Sequence, residues 1–126
     1  MVELKGYLSS TCHPQQRVTA VPGFGSQVPL YILGSSLFGA QLAAILGLPF
    51  AFASHFAPDA MMRAINLYRH EFEPSEQLAQ PHVILGYNIC AADTEEEALL
   101  LRSSGLQAFL NLRSGNPGPL PKPNER

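Results

Sequence analysis

Tryptophan is absent from the 126 residues, cysteine occurs only twice, and charged residues make up 14% of the chain. Cys12 and Cys90 stand far apart, with no CxxC pair and no HExxH run around them. Neither a disulfide framework nor a zinc centre is expected from so few sulfur ligands, and both thiols read as free. Basic residues number 8 against 10 acidic ones, a net charge of −2. That balance excludes a generic nucleic-acid binder, which needs a surplus of cations to displace counterions from phosphates. Long apolar runs are missing too. The greasiest stretch, Tyr31 to Phe56, is broken by Gly34, Ser35, Ser36, Gln41, Gly47, Pro49, Ser54 and His55, so it offers no span of about 20 apolar residues for a bilayer. Met1-Val2-Glu3-Leu4-Lys5 has no apolar core of signal type. No membrane partner and a cytoplasmic location are therefore expected.

The scarcity of charge carries a further implication. Free-standing soluble domains average about 25% charged residues, and a small domain, with more of its residues at the surface, should need more charge. The composition resembles interior cut from something larger. At 126 residues the chain is also too short for a complete eight-unit barrel.

What is present is a strand–helix order repeated three times. Residues 1–27 read as an irregular lead-in, because Pro14, Pro22, Gly23 and Gly25 interrupt regular structure. Val28 to Leu33 reads as a strand buried on both faces, ending at Gly34-Ser35-Ser36. Leu37 to Leu46, rich in alanine and leucine, predicts a helix capped by those serines and closed at Gly47. Phe50 to Ser54 predicts a second strand. A second helix is expected from Pro58-Asp59, with Met61, Ala64, Ile65 and Tyr68 forming one apolar stripe. Met61 and Met62, with Tyr68 and Phe72, read as helix-to-core contacts. Val83 to Ala91 reads as a third strand, with Gly86 a point of close approach. Asp93, three residues before Glu96, predicts the cap of a third helix running to about Arg113 and closed by Gly115 and Pro117. Glu95, Glu96 and Glu97 read as a solvated, dipole-favoured first turn. The proline-rich tail, 117–126, should be extended or disordered. Residues 28–116 thus hold three βα units with parallel strands, an α/β arrangement whose crossovers are right-handed. Two architectures use such units: a partial (β/α)8 TIM barrel, which the low charge favours, and a small doubly wound sheet, which needs an extra strand from Val18 to Val21.

In both architectures ligands lie beyond the carboxyl ends of the strands. Gly34-Ser35-Ser36-Leu37-Phe38-Gly39 joins a strand to a helix start, where free N–H groups and the helix dipole attract an anion such as phosphate. On the residues alone a plain helix cap, with Gly39 easing helix–sheet packing, explains the same pattern, and neither GxGxxG nor GxxxxGK[ST] is present. His55, at the end of the second strand, suits either a ligand contact or proton shuttle, or a hydrogen bond to nearby backbone. Tyr87 and Asn88 alternate sides on the third strand, so one of them faces a barrel interior, a ligand or ordinary packing.

These residues resemble a known family. Val28-Pro29-Leu30-Tyr31-Ile32-Leu33-Gly34-Ser35-Ser36-Leu37-Phe38-Gly39-Ala40-Gln41-Leu42-Ala43-Ala44 and Leu46-Gly47-Leu48-Pro49-Phe50-Ala51-Phe52-Ala53-Ser54-His55-Phe56 are similar to the middle of luciferase-like flavin-dependent monooxygenases, of the bacterial luciferase-like subgroup. Val21-Pro22-Gly23, Tyr68-Arg69, Ala91-Ala92-Asp93-Thr94 and Gln107-Ala108-Phe109-Leu110-Asn111-Leu112-Arg113 extend the likeness over nearly the whole chain. The resemblance implies a central fragment of a (β/α)8 barrel that uses FMN, reduced by a separate reductase, with molecular oxygen to oxidise a small organic substrate. It implies that Gly34, Ser35, Ser36 and Gly39 hold the flavin phosphate and that Ser54 and His55 line the flavin or substrate pocket. It assigns no catalytic residue and no metal, and a deazaflavin stays open as the alternative to FMN. The units missing from the barrel imply a homo-oligomer or association with the rest of the barrel. The competing reading is a catalytically inactive product or interaction module that keeps only a phosphate-binding loop.

Overall fold

The computed structural model describes residues 2–11, 14, 16–55 and 57–124. It divides into two compact units, Met1–Tyr87 and Asn88–Arg126, a division that falls inside the 28–116 stretch. The first unit holds helix α1 (Val2–Leu8), strand β1 (Ile32–Gly34), helix α2 (Leu37–Ile45), strand β2 (Phe50–Phe52), a 3-10 turn (Pro58–Ala60), helix α3 (Met61–His70) and strand β3 (Val83–Leu85); the second holds helix α4 (Glu95–Arg113).

The three strands form one parallel sheet in the order β1-β2-β3, with Ile32, Phe50 and Val83 level at one end and Gly34, Phe52 and Leu85 at the other. Because strand order follows chain order and crossovers keep one hand, α2 and α3 fall on one face. That is the winding of a barrel wall, whereas a doubly wound sheet places helices on both faces. Residues 18–21 form no strand, so the extra strand that the doubly wound alternative requires is not there. Alternation along the strands sends Phe50, Phe52 and Ile32 to the helix side, where they join Ala40, Ala43, Ala44, Leu48, Ala64 and Tyr68 in the buried core. The middle row points the other way, and there Leu33 is 73% and Ile84 40% exposed. Small residues on α2 let helix and sheet approach, and the space between is filled by aromatic rings. Phe50 meets Phe52 edge-on at 6.0 Å and Tyr68 at 5.5 Å, and Phe72 meets Tyr68 at 5.5 Å.

Tyr68 also ties this core to the sheet. Its hydroxyl donates to the Leu48 carbonyl at 2.9 Å and accepts from the His82 N–H at 3.1 Å, linking the approaches to β2 and β3. Tyr68→Phe should cost about 1–3 kcal/mol, because a buried carbonyl and an N–H lose their partner. Burial raises the Tyr68 phenol above its ordinary value, with the His82 N–H opposing the shift. The folded state therefore favours the neutral phenol. This stabilisation is complete below the unfolded tyrosine value near 10.0 and is lost as pH rises through the higher folded value. Urea titrations of the wild type should show stability falling above that pH, with a shallower fall in Tyr68→Phe; equal slopes would refute the burial assignment.

Several boundaries differ from those the sequence predicts. The lead-in contains a helix, α1, because the prolines that forbid one begin only at Pro14; its Tyr7 hydroxyl donates to Glu3 one turn earlier at 2.6 Å. The first strand is confined to Ile32–Gly34. Ahead of it, Pro29 lacks an N–H, and Leu30 is paired through both backbone groups with the Gln77 side-chain amide, at 3.1 and 2.8 Å. The second strand ends at Phe52, where Ser54 turns its N–H back to the Phe52 carbonyl. The third ends at Leu85, since Gly86 is held by the Ser54 side chain. The second helix opens through the 3-10 turn, and Met62 is 58% exposed instead of packed in the core.

In the second unit the cap of α4 is Thr94, not Asp93. The Thr94 hydroxyl accepts from the Glu97 N–H at 3.2 Å, so of two overlapping capping-box patterns the later one is used. Gly115, with φ +77°, ends the helix. The Asn116 N–H reaches the Asn111 carbonyl at 2.8 Å and Gly115 reaches Leu112 at 3.3 Å, a Schellman closure. The described tail runs back along α4, with the Asn124 N–H on the Ser103 hydroxyl at 2.7 Å.

Candidate functional site

The register of the sheet sets the carboxyl ends of the strands side by side, with the Ala53 N–H bonded to the Gly34 carbonyl at 3.0 Å. Three short segments therefore leave one edge together: Gly34-Ser35-Ser36 after β1, Ala53-Ser54-His55 after β2, and Gly86-Tyr87 after β3. Ser36 is the N-cap of α2, accepting from the Gly39 N–H at a long 3.5 Å. Ser35 is exposed and free of that duty. No acidic residue stands in the first turn of α2, and by helix geometry the N–H groups of Leu37 and Phe38 have no acceptor within the helix. The mouth beside Ser35 is therefore compatible with a negative group.

Gly34 and Gly39 face each other across the strand–helix joint, above the Phe50 ring. A Cβ on Gly39 would lie 3.6 Å from the Gly34 Cα and 3.6 Å from Phe50 Cε2, ordinary contact distances, so packing alone does not require glycine at position 39.

The second segment is arranged differently from the first. The Ser54 hydroxyl donates to the Gly86 carbonyl at 2.5 Å and accepts from the Gly86 N–H at 3.1 Å. Its proton is committed to backbone, and its place is a staple between β2 and β3. His55 is exposed, and its ring lies against Gly86. Tyr87 is 72% exposed, and Asn88 begins the second unit. Phe56, Cys12 and His13 lie outside the described residues; Cys90 is exposed. Among the described residues no group of three or more His, Cys, Asp or Glu side chains is placed to hold a metal, and no helix is long and apolar enough to cross a membrane. An open cleft of about 980 Å³ beside α1, bordered by Val2, Lys5, Tyr7 and Arg17, contains none of the strand-end residues.

The Ser54–Gly86–His55 grouping was only half visible in the sequence. Gly86 stood out as a glycine inside an apolar run, but nothing in the order of residues says that its neighbour is a side chain 31 positions earlier.

Comparison with known proteins decides the family. The luciferase-like monooxygenase family model matches residues 4–119. The chain belongs to the luciferase-like monooxygenase family. A luciferase-like monooxygenase of Escherichia coli K12 is 53% identical over 110 residues, which are 87% of this chain and 33% of that protein. The Bacillus subtilis protein YvbT is 46% identical over 123 residues, 98% of this chain and 37% of that one. Among solved structures, that of apo-MsnO8 superposes with a TM-score of 0.80 at 29% identity, covering 95% of this chain and 36% of the other. The chain thus spans about a third of the length of the curated relatives it matches. The three parallel strands and one-sided helices are a portion of a luciferase-like α/β fold, in keeping with a partial barrel.

Proposed function

We propose that the chain supplies the phosphate-binding part of an FMN-dependent monooxygenase, one that oxidises a small organic substrate with molecular oxygen once a separate reductase has reduced the flavin. Bound flavin supplies the electrons that activate oxygen. The residues here bind and orient it. The exposed Ser35 hydroxyl and the N–H groups opening α2 would hold the phosphate, and Ser36 would share its oxygen between cap and ligand. Gly34 and Gly39 keep side chains away from that approach. Ser54 and His55, on the next strand end, would border the flavin or the substrate. The observation that carries this reading is the acid-free start of α2, directly after a strand, in a chain of this family.

The sheet face bearing Leu33 and Ile84 is open, and an oxygenase must keep water from its reactive centre. Activity therefore needs the rest of a barrel over that face. Titrating FMN, with riboflavin as phosphate-free control, while measuring mass by light scattering tests both points. Preferential binding of FMN by an assembled species supports the reading; a chain that binds neither, monomeric or aggregated, leaves the inactive module in its place. In the binding species, replacing Ser35 and Ser36 by alanine should weaken FMN by about 1–3 kcal/mol, the usual worth of hydrogen bonds to a charged group, and leave riboflavin unaffected. Unchanged FMN affinity would remove the phosphate assignment.

A further inference from the structure

We infer that Gly86 and Ser54 are positioning residues for His55, fixing which edge of its imidazole a ligand meets at the strand ends. The inference rests for its purpose on the proposed pocket, with His55 on its flavin side, but its geometry stands apart from it. A Cβ built on Gly86 would fall 2.6 Å from His55 Nδ1, 3.3 Å from Cε1 and 3.7 Å from Cγ. The ring therefore presents its Nδ1 corner to the Gly86 α-carbon, in space that any other residue would fill. Nε2, across the ring, is left as the nitrogen that faces away from β3.

The seat itself is held in place. Ser54 fixes both backbone polar groups of Gly86, at 2.5 and 3.1 Å, and is the residue immediately before His55. One side chain thus anchors the strand end that forms the seat, and its neighbour places the ring upon it. An exposed histidine is otherwise free to rotate among rotamers, and a ligand pays less to bind against a group that is already oriented.

The full chain tests this by ¹H–¹³C correlation spectra of its histidine rings, with His55→Gln identifying the His55 signal. Gly86→Ala displaces only the far end of a side chain, so the fold should survive while the His55 signal moves and those of His70 and His82 stay. Ser54→Ala, which adds no atoms, should move the same signal by loosening the seat, and keeps the test available if Gly86→Ala fails to fold. A His55 signal indifferent to both changes overturns the inference. Where the wild type binds FMN, both variants should weaken it severalfold, and the His55→Gln variant likewise. A moved ring with unaltered FMN affinity would overturn the positioning role. Absence of FMN binding in the wild type would instead count against the flavin reading, with the ring signals still deciding whether Gly86 seats His55.

Discussion

Gly47→Ala should be among the most damaging single methyl additions in the chain, lowering stability by about 2–5 kcal/mol, from left-handed strain of about 1–2 kcal/mol plus the cost of overpacking. Gly47 sits at φ +59°, just past the end of α2, where its N–H meets the Ala44 carbonyl at 3.1 Å and the Leu48 N–H meets Ala43 at 2.9 Å. A Cβ there would also fall 2.5 Å from the Glu73 carbonyl and 2.9 Å from the Ser75 N–H. Those atoms are backbone and are not easily displaced. The Glu73 N–H binds Ala44 at 3.0 Å, and the Ser75 hydroxyl binds the Gly47 carbonyl at 2.8 Å. The 73–75 loop is thus locked to the turn it would have to leave. Urea denaturation of Gly47→Ala should show a large drop in midpoint. Gly115→Ala supplies the control: it has the same handedness, φ +77°, but open space around it, so it should lose only the strain, about 1–2 kcal/mol. Equal losses would mean that the loop contact contributes nothing.

The contrast between these two glycines shows what the sequence makes legible. Both stand where a helix pattern stops, so their role as C-terminal glycines follows from position. Only the fold reveals that one is enclosed and the other is not. The same holds at the strand ends. Gly34-Ser35-Ser36 is local, a strand running into a helix, and the structure places it as the sequence does. The first and third strands are shorter than their apolar runs predict because the partners that bound them are distant side chains, Gln77 on Leu30 and Ser54 on Gly86. Apolar runs mark burial, whereas ladder pairing depends on which backbone groups stay available. The cap of α4 lies one residue beyond the predicted Asp93 because Asp93 and Thr94 each precede a glutamate at the right spacing, and sequence offers no means of choosing. The low charge matches a surface that keeps many apolar side chains exposed, Leu33 and Ile84 on the sheet and Leu99, Leu106 and Leu110 on α4 among them.

The one-sidedness of the sheet leads to the other large expected effect. Phe50 and Leu33 lie on adjacent strands of the same small sheet, but Phe50 is fully buried and Leu33 is 73% exposed. Phe50 touches Phe52 and Tyr68 and lies beneath the Gly34–Gly39 joint, so Phe50→Ala should cost about 3–5 kcal/mol, the loss typical of a buried aromatic truncated to alanine. The whole stability of a domain is commonly only about 5–15 kcal/mol, so this variant should be close to unfolding at room temperature. Leu33→Ala removes a large aliphatic group from the opposite face, and in the isolated chain it should change stability by no more than about 0.5 kcal/mol. The two diverge further if another chain completes the barrel. Leu33→Ala should then weaken the assembled species seen by light scattering without altering the monomer, because its side chain becomes interior only on assembly. A large loss of monomer stability on Leu33→Ala would mean that the face is covered within the chain itself, and that the sheet is two-sided after all.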